Sequence, residues 1–127
     1  MIVGIGTDIL YMKHLAPDCL KEGDSFLQKV YSEKEVEQAK KRELPFYYYA
    51  VRFAGKEAVF KSMNLSPEKI LLSEIEILDD ENGAPHVVLY GALAEKAREK
   101  RIDHIHISLS YEEEYAVAYA VAERKSL

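Results

Sequence analysis

Several features that define common protein classes are missing from this 127-residue chain. It has one cysteine, Cys19, so no intramolecular disulfide can form. No apolar run approaches the ~18–20 residues that a membrane-spanning helix needs. The first residues carry neither a positive region nor a cleavable apolar segment, so we expect no secretory signal. Together these absences predict a protein of the reducing cytoplasm with no membrane partner.

Positive charge is also scarce. The chain has 17 basic and 22 acidic residues and a net charge of −5, whereas a general nucleic-acid binder needs a basic surface. Its content of 48% hydrophobic and 31% charged residues is typical of a globular protein. Because the sequence contains no repeat, low-complexity tract or linker, it predicts one domain over residues 1–127.

The order of strand-like and helix-like segments predicts the fold class. A capping box at Ser32 and Glu35 begins the first clear helix, and Asn82-Gly83 supplies the turn of a hairpin. The predicted strands are residues 2–9, 75–77, 87–90, 105–109 and 115–122, and the predicted helices are residues 33–42, 46–63 and 91–100. This order is typical of an α+β domain in which antiparallel hairpins pack against a long helix.

The last strand alternates most regularly. Ala116, Ala118, Ala120 and Ala122 share one face, and tyrosine and valine occupy the other. Because a row of alanines is flat, we expect that face to pack closely against a helix or another subunit.

The long helix carries a carboxylate on an apolar stripe. At about 100° per residue, Glu57 lies among phenylalanines and alanines, which predicts that it faces the core. A bare carboxylate there is costly and needs a cation. Glu57 is either the partner of Lys61 in an i,i+4 ion pair or a metal ligand beside a lysine that binds an anionic substrate. Arg52 and Lys56 lie off the stripe and face either phosphates or water.

Asp8 offers a second carboxylate, at the end of a glycine-rich strand. A turn or cap is an ordinary role for such a residue, but Gly6 would also let a ligand approach the backbone. Mg²⁺ in phosphate chemistry is commonly held by two carboxylates, substrate oxygens and waters. Asp8 and Glu57 are therefore the candidate magnesium ligands.

His104 and His106 share one face of a strand, at a spacing that suits two zinc ligands. Neither Cys19 nor another histidine lies near them in sequence to supply a third. We therefore interpret His106 as a polar contact at a cleft and His104 as exposed.

Four segments resemble the motifs of the holo-acyl-carrier-protein synthases, in order and spacing. Residues 4–9 (GIGTDI) resemble the opening motif of that family, and residues 52–61 (RFAGKEAVFK) resemble its central motif. Residues 80–85 (DENGAP) and 106–110 (HISLS) are similar to its later hairpin and closing strand. The resemblance covers nearly the whole chain.

The resemblance implies a 4′-phosphopantetheinyl transferase. Such an enzyme moves the 4′-phosphopantetheine arm of coenzyme A to a serine of an apo acyl-carrier protein and releases adenosine 3′,5′-bisphosphate. The family uses Mg²⁺ and serves fatty acid and lipid biosynthesis, and its small members are trimers with active sites between subunits. Asp8 and Glu57 would hold the metal, and Lys61 would contact the transferred phosphate. The sequence leaves open which group takes the proton of the serine.

The resemblance also implies contacts with the two substrates. His106 would lie near the nucleotide end of coenzyme A, with Arg52 and Pro85 as further contacts. Lys13 and His14 would face the carrier protein.

The chain departs from the family at three places. His14 stands where the family usually carries arginine, and Tyr111 replaces a common histidine. Residues 62–67 (SMNLSP) replace a Gly-Thr-Gly loop that approaches the coenzyme A phosphates. Because the chain is acidic, we expect a less acidic carrier than that of ordinary fatty acid synthesis, or slow transfer to the ordinary one.

Three other functions remain open from the sequence. The chain is an inactive or weak relative that binds coenzyme A or a carrier protein, another Mg²⁺-dependent phosphate enzyme on a similar fold, or an interaction module that trimerises through its alanine face.

Overall fold

The computed structural model describes residues 1–66 and 71–125, so Pro67 of the divergent loop lies outside the described residues. The strands are β1 (Ile2–Tyr11), β2 (Ile75–Asp79), β3 (Pro85–Leu89), β4 (His104–Glu112) and β5 (Tyr115–Glu123), and the helices are α1 (Ser25–Val30), α2 (Glu33–Lys40), α3 (Pro45–Ser62) and α4 (Gly91–Glu99). Within these ranges, 3-10 turns occur at Met12–His14, Pro17–Leu20 and Leu72–Glu74. These elements confirm the predicted α+β class. In the described ranges, no helix is long and apolar enough to span a membrane.

The strands form two antiparallel sheets, and α3 packs against both. Strand β5 lies between β1 and β4 in a three-stranded sheet, while β2 and β3 form a hairpin. Gly55 makes the close packing of α3 possible. A Cβ at this position would lie only 2.8 Å from Ile77 Cδ1 and 2.9 Å from Leu109 Cδ2, on opposite sheets.

The predicted hairpin turn is confirmed at residues 80–84. Asp80 Oδ1 accepts hydrogen bonds from the backbone N–H groups of Asn82 (2.8 Å) and Ala84 (2.9 Å). Gly83 follows with a left-handed φ of +82°, which glycine adopts without a steric penalty. Because of this turn, Pro85 lies opposite Asp79 in the ladder.

The alternation of β5 is confirmed, and its alanine face is buried inside the chain. Ala116, Ala118, Ala120 and Ala122 are at most 1% exposed, because α3 covers that face of the sheet. The interpretation of this face as a subunit contact is therefore wrong. Large apolar side chains are instead exposed on the outer face of the sheet, where Tyr119 is 55% exposed.

The burial of α3 differs from the prediction. Glu57 is half-buried, while Lys56 and Arg52, which we expected off the core, are 0% and 4% exposed. The apolar stripe did not predict which side chains of α3 are buried. The helix is packed between both sheets and α2, so little of its circumference is exposed to solvent. Burial of Lys56 and Arg52 is tolerated because each has a carboxylate partner.

Candidate active site

Strand β1 and helix α3 meet at their backbones, and this contact positions the candidate site. Alternation along β1 places Gly4, Gly6 and Asp8 on the face that α3 covers. A Cβ on Gly6 would overlap the carbonyl oxygen of Ala58, and one on Gly4 would overlap that of Ser62. The space above Gly6 is thus taken by the helix and not by a ligand, which corrects the role predicted for this glycine. The close approach brings Asp8 beside the second half of α3.

Asp8 and Lys61 are the first pair in the site. Lys61 Nζ lies 3.0 Å from Asp8 Oδ1 and donates a second hydrogen bond to the carbonyl oxygen of Thr7, also at 3.0 Å. The Asp8 side chain is 18% exposed and that of Lys61 is 52% exposed. A pair this open to solvent contributes little stability, so the ammonium is free to exchange Asp8 for another anion.

Glu57 lies one helical turn before Lys61 and completes a group of three charges. Burial raises the pKa of the Glu57 carboxyl, the nearby negative charge of Asp8 raises it further, and Lys61 opposes both effects. Among the described residues Glu57 has no ion-pair partner within 4 Å, and Lys61 bonds to Asp8 instead of forming the i,i+4 pair. Two carboxylates that repel each other in a half-buried site provide a place for a cation.

The donor set fits Mg²⁺ better than zinc. The described residues contain no cluster of three or more histidine, cysteine or carboxylate side chains, so a metal here would take its other ligands from substrate and water. That arrangement is the usual one for Mg²⁺ in phosphate chemistry. Asp8 and Glu57 are the residues that would hold the ion.

The structure does not bring Arg52 to this group. Its guanidinium lies 2.6 Å from Asp79 Oδ1, donates through Nε to the carbonyl of Ile77 at 3.3 Å, and sits 3.7 Å from the centre of the Tyr48 ring. Five helical positions separate Arg52 from Glu57, which puts the two side chains about 140° apart around α3. Arg52 therefore fastens α3 to the end of β2 in this structure.

His106 lies on the opposite face of the sheet from Asp8. It pairs with Val121 on the outer face, whereas Asp8 pairs with Ala118 on the inner one. His106 Nε2 lies 2.9 Å from Glu123 Oε1, and this hydrogen bond holds the pKa of the Glu123 carboxyl below its usual range. His106 and its neighbour His104 are both exposed, and their rings are 4.2 Å apart.

The remaining predicted site residues lie away from the carboxylate pair. Pro85 is half-buried at the start of β3. Lys13 and His14 are exposed in the first 3-10 turn, directly after β1, and Lys13 Nζ lies 3.7 Å from Glu114 Oε1. Tyr111 stacks on Tyr47, with 4.7 Å between ring centres.

Two residues that support the site were not identified from the sequence. Glu35 closes the predicted capping box but is also fully buried, where it pairs with Lys56. Asn64 follows the end of α3 with a φ of +52° and bonds to β1. The signal for Asn64 was its position at a helix end that commonly carries glycine. No local pattern indicated the partner of Lys56.

Comparison with known proteins shows which family this chain matches. The model of the 4′-phosphopantetheinyl transferase superfamily matches residues 4–120. A holo-[acyl-carrier-protein] synthase of Wolbachia pipientis from Culex pipiens is 38% identical over 125 residues, which cover 95% of this chain and 97% of that protein.

Solved structures agree with the sequence match. The holo-ACP synthase of Plasmodium yoelii superposes with a TM-score of 0.84 at 35% identity, covering 99% of this chain and 98% of that one. A holo-(acyl-carrier-protein) synthase of Bacillus anthracis in complex with CoA (3′,5′-ADP) gives a TM-score of 0.78 at 30% identity, covering 98% and 99%.

Proposed function

Because the chain belongs to the 4′-phosphopantetheinyl transferase superfamily and is a transferase, we propose that it moves the 4′-phosphopantetheine arm of coenzyme A to a serine of an apo acyl-carrier protein. The observation that carries this proposal is the ion pair of Lys61 with Asp8, beside the half-buried carboxyl of Glu57, whose pKa is raised by burial and by Asp8. The names of the relatives and the CoA complex of the Bacillus anthracis protein support this choice of substrates.

The three charged residues have different roles in the proposed phosphoryl transfer. Asp8 and Glu57 would hold Mg²⁺, which when bound would neutralise charge on the pyrophosphate of coenzyme A. Lys61 contacts the transferred phosphate and stabilises the negative charge that grows in the transition state. The serine oxygen forms a bond to the phosphorus of the phosphopantetheine arm as the P–O bond to adenosine 3′,5′-bisphosphate breaks, and the serine proton passes to a base at the site.

We propose a homotrimer, assembled through the outer face of the three-stranded sheet. Ile5, Ile9 and Tyr119 on this face are 66%, 67% and 55% exposed, and clustered apolar side chains of this kind mark interaction surfaces. His106 and Asp8 lie on opposite faces within one chain. A single active site that uses both residues must therefore take them from two subunits.

The proposed substrate contacts follow from position and charge. His106 and Pro85 are the nucleotide contacts, and Arg52 is a weaker one because its guanidinium is already ion-paired. Lys13 and His14 meet the carrier protein. Because Glu114 lies beside Lys13 and the chain is acidic overall, this surface favours a less acidic carrier.

Intact-mass measurement tests the proposal. The full-length protein is incubated with coenzyme A, Mg²⁺ and a set of apo carrier proteins that differ in net charge. We expect at least one carrier to gain the mass of one phosphopantetheine group, and to gain it only while Mg²⁺ is present. Binding of coenzyme A with no mass gain on any carrier would favour the alternative of an inactive relative.

A further inference from the structure

Asn64 lies where α3 ends, and its backbone is left-handed, with φ +52°. Its N–H donates to the carbonyl oxygen of Lys61 at 3.3 Å. Glycine is the residue that adopts this conformation most easily at a helix end, and asparagine is one of the few others that tolerate it. Glycine would adopt this left-handed backbone at a lower cost, so the backbone conformation alone does not explain why an asparagine is present.

The side chain of Asn64 joins α3 to β1. Its Nδ2 donates to the carbonyl oxygen of Val3 at 2.9 Å. The β1–β5 ladder shifts register here, because Ile2 and Gly4 pair with consecutive residues of β5 and Val3 is passed over. A backbone carbonyl at such an irregularity needs a donor from elsewhere. Gly4 leaves room for the contact, since a Cβ there would lie 2.7 Å from Asn64 Nδ2.

The backbone of Asn64 takes part in a wider set of hydrogen bonds. Lys100 Nζ donates to the carbonyl of Asn64 at 2.9 Å, and Arg124 Nη2 donates to the carbonyl of Lys100 at 2.6 Å. The amino group of Met1 donates to the carbonyl of Arg124 at 2.7 Å. The end of α3 is thus fastened to the start of β1, the end of α4 and the end of β5.

We propose that Asn64 is a positioning residue for the phosphate- and metal-binding site. Lys61 lies just before it on α3, and Asp8 lies five residues beyond Val3 on β1. Apart from the backbone packing at Gly4 and Gly6, Asp8 is joined to α3 by the solvent-exposed bond of Lys61, which is weak by itself. The amide of Asn64 supplies a second tether that fixes the strand on the helix. The inference rests on the proposed role of Asp8 and Glu57 as metal ligands.

Two variants separate this role from that of a helix terminator. Asn64→Gly keeps the left-handed conformation and removes the amide. Asn64→Asp keeps the shape and most of the tolerance for positive φ, but its carboxylate cannot donate to Val3. Tyr90→Phe is the control, because it removes a hydrogen bond to Glu76 at the hairpin, away from the site.

The measurement is Mn²⁺ affinity of the full-length protein without any substrate, followed through the electron paramagnetic resonance signal of the free ion. We expect both Asn64 variants to bind Mn²⁺ roughly tenfold more weakly than the wild type, as for loss of an outer-shell partner. Tyr90→Phe should bind normally. Thermal unfolding of Asn64→Gly should stay close to that of the wild type, since glycine relieves the backbone as the hydrogen bond is lost.

An affinity of Asn64→Gly within about twofold of the wild type would overturn the inference, and so would an equal loss in Tyr90→Phe. Wild-type Mn²⁺ binding that weakens in the Asn64 variants, without transfer to any carrier, would support the positioning role of Asn64 and overturn the proposed transferase activity. A wild type that binds no Mn²⁺ would overturn the proposed metal site and the positioning role of Asn64 together.

Discussion

The ammonium of Lys56 and the carboxylate of Glu35 form an ion pair in which both side chains are fully buried, with 2.8 Å between Nζ and Oε1. Lys56 also donates to the backbone carbonyls of Leu72 and Ile75, and Glu35 Oε2 accepts from the N–H of Ile77 at 2.8 Å. The pair therefore joins α2, α3 and β2. It fixes the helix that carries the candidate site from the side opposite to β1.

Removing one member of this pair should be strongly destabilising. We expect Lys56→Met to lower the free energy of unfolding by about 3–5 kcal/mol, because it leaves the Glu35 charge buried and unpaired. The double variant Glu35→Gln, Lys56→Met should recover part of the loss, since its remaining groups are neutral. Urea titrations of both variants measure this. A loss below about 1 kcal/mol in Lys56→Met would show that the charges are not buried as described.

Removing either candidate metal ligand should stop transfer and leave the fold intact. We expect Asp8→Ala and Glu57→Ala to lose measurable transfer while their circular dichroism spectra match that of the wild type. The reason is that each supplies half of the carboxylate pair that would hold Mg²⁺. Glu95→Gln is the matched control, because it removes an exposed carboxylate that pairs with Arg98. Full activity in either alanine variant would contradict the assignment.

Glu57 should make the metal-free fold less stable at neutral pH. Its pKa in the folded state is raised above the ordinary 4.5, so between the two values the folded protein keeps a proton that the unfolded chain has released. Stability therefore falls as pH rises through that window and stays lower above it. We expect Glu57→Gln to be more stable than the wild type at pH 7, by less than about 1 kcal/mol for a half-exposed group.

The comparison is made by thermal unfolding in EDTA at several pH values. The advantage of Glu57→Gln should disappear below about pH 4, where glutamate is protonated in both states. A variant that is less stable than the wild type at neutral pH would show that the Glu57 charge is favourably paired in the fold.

Local chemistry was enough to predict much of the fold. The capping box of Ser32 and Glu35 and the turn at Asn82-Gly83 each involve groups within a few residues, and both are present in the structure. The neighbourhood of Asp8 and Glu57 was also predicted, from a strand motif and a helix motif taken together.

The errors of prediction share a cause, which is packing between distant segments. Lys56 was expected to face phosphates or water because its partners are distant in sequence. Glu35 lies 21 residues away, and the carbonyls of Leu72 and Ile75 lie 16 and 19 residues away. Gly6 was predicted to let a ligand approach the backbone. The fold shows instead that α3 fills the space above it. The alanine face of β5 suited a helix or a subunit equally, and sequence alone does not choose between them.

Substitutions at two neighbouring residues of β5 should distinguish an effect on folding from an effect on subunit assembly. We expect Ala118→Arg to unfold the chain, because Ala118 is fully buried under α3, at a cost of several kcal/mol for an unpaired buried charge. Tyr119→Arg should leave the fold intact and split the proposed trimer, since Tyr119 is exposed on the outer face.

Light scattering and circular dichroism measure the two effects separately. A Tyr119→Arg variant with the same mass in solution as the wild type would exclude this face as the subunit contact. A wild type that scatters as a monomer at micromolar concentration would contradict the trimer itself.

The carrier surface should respond to a positive charge at position 14. We expect His14→Arg to lower the apparent KM for an acidic carrier protein at neutral pH, because exposed charges at a docking surface change the rate of encounter. His86→Arg on the distant hairpin is the control, and an effect as large in that variant would mean that overall charge is responsible.

The most direct test of the central claim is to count both products of one reaction. Wild-type protein, coenzyme A and an apo carrier protein are mixed with Mg²⁺, and the adenosine 3′,5′-bisphosphate formed is compared with the carrier that has gained phosphopantetheine. We expect the two to appear in equal amounts and neither to appear with Glu57→Gln. Nucleotide released without modified carrier, or modified carrier formed equally well by Glu57→Gln, would contradict it.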